Sequence, residues 1–221
     1  MAWALPSRAR THFERLENQS DARHLETILS PIERIDIYEA ASFHTTLFAA
    51  PQTEELPPDQ YALLSDASVS GSILSTTDTS ELGILNALPQ SLPYRLLEVK
   101  SSLLLGEYGG SNIWLAKLFD TENIEVVQEN QRYIDFMKDE FREESGGIFV
   151  AEELATHTTN PRLFLEQDRE AYDLIQLVSA EHMPAASGGL ASLNENYLLT
   201  VSSIQSAVRR LTPNGVIAIS R

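Results

Sequence analysis

The residues of this sequence best suited to chemistry are a cluster of glycines and the carboxylates that follow it. Gly106, Gly109 and Gly110 stand in the run Gly106-Glu-Tyr-Gly109-Gly110, directly after the apolar stretch Ser102–Leu105. Lacking Cβ atoms, such a segment turns sharply and offers backbone N–H groups, with the start of a following helix, to a polar or anionic ligand. About 20 residues further on, a second apolar stretch ends in Gln128-Glu129-Asn130, where a nucleoside-binding sheet commonly carries the acid that grips ribose hydroxyls. Glu129 fits that role, and Gln128 is its neutral stand-in. A third apolar stretch, Ile148–Val150, runs into Ala151-Glu152-Glu153, which adds Glu152 and Glu153 at the same expected sheet edge. The plainer alternative is a tight strand–helix turn beside solvated strand ends. Glu181 and His182 are the candidates for catalysis, a carboxylate and an imidazole side by side at the expected cleft, able to serve as general base or substrate ligand. An exposed loop histidine is the plainer alternative there.

Other chemistries lack their residues. The chain has no cysteine, which removes disulfides, thiolate metal sites and cysteine nucleophiles. His12, His24, His44, His157 and His182 show no metal-ligand spacing, so no metal is expected. Ser187 and Ser192 sit in no Gly-x-Ser-x-Gly elbow. The glycine loop lacks the Lys-Ser/Thr ending of a nucleoside-triphosphate loop, and Gly-x-x-Gly-Gly is not the Gly-x-Gly-x-x-Gly of nicotinamide enzymes. A net charge of −16 argues against a nucleic-acid surface and against docking on an anionic membrane face. No apolar run approaches the roughly 18 residues of a membrane span. The opening Met1-Ala-Trp-Ala-Leu-Pro6 is interrupted by Arg8 and Arg10 too soon for a signal peptide, so the expected location is the cytoplasm.

The elements that would position these residues change character near Pro89–Pro93. Before it lie short candidate strands, Arg34–Glu39, Thr45–Phe48 and Tyr61–Leu64, then a Ser/Thr/Asp/Gly-rich loop or hairpin over Ser65–Thr79 and a short helix over Glu81–Leu88. After it strands and helices alternate: strand Ser102–Leu105, helix Asn112–Phe119 capped by Ser111 or Asn112, strand Ile124–Val127, helix Gln131–Phe141, strand Ile148–Val150. Asn160-Pro161 opens a helix over Arg162–Gln167, Tyr172–Val178 is a strand, Thr200 caps a helix over Val201–Leu211, and Pro213-Asn-Gly215 turns into a last strand, Val216–Ser220. The expected fold class is α/β: a doubly wound, mostly parallel Rossmann-like sheet over 93–221, preceded by a small β-rich region over 1–92. Ligands of such sheets bind beyond the carboxyl ends of the strands, at the switch point.

Four stretches together resemble the spermidine synthase-like branch of the S-adenosylmethionine-dependent methyltransferase fold. They are Ser102-Leu-Leu-Leu-Gly-Glu-Tyr-Gly-Gly110, Ile124-Glu-Val-Val-Gln-Glu-Asn130, Ala171-Tyr-Asp-Leu-Ile-Gln-Leu177 and Leu193-Asn-Glu-Asn-Tyr-Leu-Leu-Thr200, the last continuing to Leu211-Thr-Pro-Asn-Gly-Val-Ile-Ala-Ile-Ser-Arg221. The resemblance implies S-adenosylmethionine or its decarboxylated form as cofactor, a small amine or other nucleophile as acceptor, and methyl or aminopropyl transfer as reaction. It assigns the cofactor to Gly106, Tyr108, Gly109, Gly110, Gln128, Glu129, Glu152 and Glu153, with Gln128 at the ribose acid and Glu152 at the adenine-side acid. It leaves a homodimer open.

The departures point the other way. Tyr108 stands at the middle glycine of the family's loop, either closing over the cofactor or filling its space. Gln128 keeps hydrogen bonding but loses the charge. Val178 replaces an aspartate that deprotonates or orients the attacking amine, which speaks against spermidine synthesis. The family's fold continues past the last strand with a helix and an antiparallel strand pair, so a fragment of a longer protein or a shortened, degenerate domain is expected. The alternative to a transferase is therefore a degenerate, non-catalytic domain with a regulatory or assembly role.

Overall fold

Alternating Ile35 and Ile37 in a β-branched, aromatic context do build a strand, and it is the second of four. The computed structural model describes residues 22–39, 58–66, 68–167, 170–178 and 197–219. Strands β1 (Arg23–Leu29), β2 (Arg34–Glu39), β3 (Gln60–Ser65) and β4 (Ser68–Leu74) form an antiparallel sheet in the order β1-β2-β3-β4. Leu63 and Ile73 join Ile35 and Ile37 in a fully buried apolar layer. The Ser65–Thr79 segment is thus the far arm of a hairpin through β4, and β1 had no clear signal because its residues are mostly exposed. The stretch Thr45–Phe48 lies outside the described residues.

One polar cluster ties this sheet together. Asp36, only 2% exposed, accepts hydrogen bonds from Thr27 Oγ1 at 2.6 Å, Arg34 Nε at 2.7 Å and Arg34 Nη2 at 2.8 Å, with His24 Nε2 at 3.3 Å. Burial alone would raise its pKa, but the bonds from Arg34, Thr27 and His24 and the guanidinium charge outweigh it and hold the carboxyl below its ordinary 3.8. A depressed folded-state pKa gives stability that is present above the unfolded value and lost as pH falls through the folded one. Thermal melts should therefore show an acid limb below about pH 4. Asp36→Asn should flatten that limb and cost about 2 kcal/mol at neutral pH.

The second sheet is parallel throughout. Its strands are β5 (Ser101–Leu105), β6 (Asn123–Val127), β7 (Leu154–His157), β8 (Tyr172–Leu177) and β9 (Leu211–Ile219), in the order β7-β6-β5-β8-β9. The helices are α1 (Leu92–Leu96), α2 (Ser111–Leu118), α3 (Gln131–Lys138), α4 (Pro161–Gln167) and α5 (Val201–Val208). Strand order reverses between β5 and β8, which puts the switch point at the carboxyl end of β5, where the glycine loop begins. Asp173 locks the opposite, amino edge. It accepts from the backbone N–H of Lys100 and Ser101 at 3.0 and 3.1 Å and from Thr212 Oγ1 at 2.8 Å, joining β8 to β5 and β9.

Leu104, Val126, Tyr133, Met137 and Phe149 share one core with Ile35, Ile37, Leu63 and Ile73 of the first sheet. The other face of the parallel sheet, Leu103, Leu105, Val127, Ile175 and Leu177, packs with Leu165 of α4 and Ala207 of α5. The sheet is covered on both faces, as a doubly wound fold requires.

Four element expectations need correction, the first being the helix over Val201–Leu211, which ends at Val208 while Leu211 opens β9. Ile148–Val150 is a 3-10 turn, and the third strand is Leu154–His157. Gly146 and Gly147, at φ +64° and +70°, end the turns that follow α3, and Ile148 and Phe149 then wedge into the core. A buried apolar wedge carries the same signal as a buried strand. The helix expected to reach Phe141 stops as regular α3 at Lys138. Pro213-Asn-Gly215 is an irregularity inside β9, since Leu211 pairs with Tyr172 and Val216 with Leu174. Among the described residues no helix is long and apolar enough to cross a membrane.

Candidate functional site

The glycine loop leaves β5 at Gly106, whose N–H bonds Val127 O at 3.0 Å and whose φ is +79°. Glu107 follows and turns inward to 1% exposure. Its carboxylate accepts from Gly110 N at 2.7 Å and from Asn112 Nδ2 at 2.8 Å. Burial pushes its pKa up, opposed by these donors. Gly110, at φ +82°, is the N-cap of α2 and supplies no side chain, so Glu107 does the work expected of Ser111 or Asn112. Asn112 Oδ1 in turn accepts Gln176 Nε2 at 3.0 Å, so a buried polar row runs from the loop to β8.

Tyr108 is largely buried against Tyr133, with ring centroids 5.7 Å apart. Its hydroxyl donates to Glu33 Oε2 at 2.9 Å. Its carbonyl accepts the Tyr133 hydroxyl. Burial first, then the neighbouring Glu33 charge, push the phenol pKa well up, so Tyr108 is a neutral donor. Gln128, 4% exposed, gives Nε2 to Glu107 O at 3.2 Å and accepts Asn130 N on Oε1 at 3.1 Å. Asn130 caps α3 through Tyr133 N at 3.1 Å and donates Nδ2 to Glu33 Oε1 at 2.9 Å. Glu33, in the β1–β2 turn, also accepts Ser65 Oγ at 2.6 Å.

The structure thus gathers Gly106, Tyr108, Gly109, Gly110, Gln128 and Glu129 at the carboxyl edge of β5 and β6. Glu129 is exposed there and accepts the Asn160 amide. Val178 continues β8 at the same edge, its N–H on Leu105 O at 3.0 Å. Glu152 and Glu153 lie elsewhere, a correction that follows from the displaced third strand. They precede β7, at the amino edge of the sheet, where Glu153 O accepts Ile124 N at 2.9 Å. The Glu153 carboxylate pairs with Lys117 Nζ at 2.8 Å, and that bond holds it below the usual carboxylate range. At the carboxyl end of β7 stands His157, with Nε2 on Glu125 Oε2 at 2.8 Å. Glu181 and His182 lie outside the described residues.

Glu107, Asn112, Gln176, Asn130 and Glu33 belong to this arrangement and were not legible as site residues. A glutamate between loop glycines is a detectable self-capping signal. Glu33 had none, since it meets Tyr108 across 75 positions of chain. Gly109 serves packing: a Cβ there would lie 2.1 Å from Ser72 O of β4.

At the start of α2 Gly110 N is taken by Glu107, and beside it the Tyr108 hydroxyl is taken by Glu33.

No protein-family model matches this chain, and no curated protein matches it. Solved structures do. A spermidine synthase from Thermotoga maritima superposes with a TM-score of 0.59 at 17% identity, over 89% of this chain and 55% of that one. A spermidine synthase in complex with the transition state analogue AdoDATO gives 0.58 at 18%, over 89% and 57%. A probable spermidine synthase from Corynebacterium glutamicum gives 0.54 at 14%, over 88% and 62%. The chain has the Rossmann-like, methyltransferase-type fold of spermidine synthases, with the small antiparallel sheet in front. It spans between 55% and 62% of the length of these structures.

Proposed function

We propose that this chain is a spermidine synthase-like domain whose nucleoside site is filled by its own side chains, a non-catalytic form of the fold serving regulation or assembly. The observation that carries this reading is the Tyr108 hydroxyl, bonded at 2.9 Å to Glu33 of the β1–β2 turn. Glu107 supports it by occupying Gly110 N at the helix start, a donor that would otherwise meet an anionic ligand group. Val178 supports it further, because an aliphatic side chain cannot accept a proton from an attacking amine.

The test is titration calorimetry of the purified chain with S-adenosylmethionine, its decarboxylated form and 5′-methylthioadenosine. No binding heat is expected up to millimolar ligand. Micromolar binding of any of the three, or formation of a methylated or aminopropylated amine, would overturn the reading.

A second reading is a transferase that uses S-adenosylmethionine or its decarboxylated form and acts on a small amine. Glu129 favours it, being an exposed carboxylate at the end of β6 beside the loop. So does the likeness to an enzyme solved with AdoDATO. On this reading Gly106, Gly109, Gly110, Gln128 and Glu129 are cofactor contacts and Glu181 and His182 are the catalytic pair. Glu129→Ala separates the two readings, since it should weaken nucleoside binding on the second and leave the calorimetric trace flat on the first.

A further inference from the structure

We infer that the β1–β2 turn is a latch on the glycine loop, with Glu33 holding Tyr108 over the position of a nucleoside ribose. This rests on the reading that the site is closed by its own residues, and it names what keeps it closed. Three donors from three different segments converge on the Glu33 carboxylate: Tyr108 OH at 2.9 Å from the glycine loop, Asn130 Nδ2 at 2.9 Å from the end of β6, and Ser65 Oγ at 2.6 Å from β3. The turn itself is held, because Ser30 Oγ donates to Glu33 O at 3.0 Å and accepts Glu33 N at 3.2 Å. Ser30 Oγ also takes a bond from Asn130 Nδ2 at 3.2 Å, so the turn and the end of β6 grip each other twice.

The direction of these contacts matters. Packing against Tyr133 orients the Tyr108 ring from one side, but its hydroxyl is fixed from the opposite sheet. Glu33 is an acceptor only, so it pulls a phenol O–H toward itself and away from solvent. The bond to an ionised acceptor is the strong kind. Gln128 is committed elsewhere, giving Nε2 to Glu107 O and accepting Asn130 N on Oε1. Opening the loop to a nucleoside then requires breaking the Glu33 bond, and apparent affinity is reduced by the fraction of molecules in which it is broken.

Calorimetric titration with 5′-methylthioadenosine on the wild-type chain, Tyr108→Phe, Glu33→Ala and Tyr108→Gly tests this. Tyr108→Phe removes only the hydroxyl and keeps the packed ring, and circular dichroism melts establish that each variant folds. Tyr108→Phe and Glu33→Ala should each tighten binding by at least about tenfold over wild type. Tyr108→Gly should tighten it most, and adding Glu33→Ala to that variant should change nothing further. If Tyr108→Gly binds but Tyr108→Phe and Glu33→Ala do not, the ring is held by packing; the latch is overturned and the closed site stands. If no folded variant binds, the latch is overturned as well. If wild type binds as tightly as the variants, both fall together.

Discussion

Replacing Glu107 by alanine should lower the stability of this chain by about 3–5 kcal/mol, although the residue touches no other charged group. The carboxylate is the acceptor for Gly110 N and Asn112 Nδ2, both buried. Alanine leaves these donors without a partner in a place water does not reach. Each unsatisfied buried donor costs about 1–3 kcal/mol, and relaxation of the loop recovers part of the sum. Glu107→Gln keeps the size of the side chain but turns an amide N–H₂ toward donors, so it should cost less than alanine but more than a surface change, about 1–3 kcal/mol. For a chain of this size the alanine variant should melt about 10 °C lower. Denaturant unfolding at neutral pH measures both. A loss below about 1 kcal/mol for alanine would mean that water replaces the carboxylate and that the loop is open.

That expectation inverts how the loop reads as a string of residues. Glycines between a strand and a helix announce backbone donors, and the sequence does place those donors correctly, at the switch point of a doubly wound sheet. What consumes them is the glutamate set between the glycines. Loop carboxylates are usually solvated, and the 1% exposure of Glu107 shows that this one points inward. Strands β2, β5, β6 and β8 were legible because their burial pattern is their sequence pattern. Strand β7 was not, because Leu154-Ala-Thr-His157 is a half-buried edge strand with a single large apolar side chain, while the more apolar Ile148-Phe-Val150 beside it is a core wedge. That one displacement moved Glu152 and Glu153 from the ligand edge to the opposite end of the sheet. Glu33 marks a different kind of limit: its meaning depends on how the two sheets meet, and pairing across the whole chain leaves no local trace.

How the two sheets meet is decided at two glycines, and there the largest single-residue losses are expected. At Gly146 a Cβ would lie 1.7 Å from Thr76 O, just past β4, and at Gly109 one would lie 2.1 Å from Ser72 O within β4. In both cases the obstacle is backbone of the first sheet, which cannot swing aside as a side chain does. Gly146 also sits at φ +64°, where an L side chain adds strain of its own. Gly146→Ala and Gly109→Ala must therefore push the antiparallel sheet off the parallel one, opening the core that Ile73 and Phe149 share. Each should cost about 4 kcal/mol or more. Gly147→Ala is the internal control. It has nearly the same backbone conformation, φ +70°, but its Cβ would meet only Val150 Cγ2, at 3.8 Å. It should cost about 1–2 kcal/mol, the conformational strain alone. Denaturant midpoints separate these values, and limited proteolysis should cut the first sheet of the Gly109 and Gly146 variants under conditions that leave the Gly147 variant whole. Equal losses at all three positions would show that strain rather than close approach governs the contact. In that case the joint between the sheets would tolerate a side chain, and the Glu33 carboxylate would not be held rigidly over the loop.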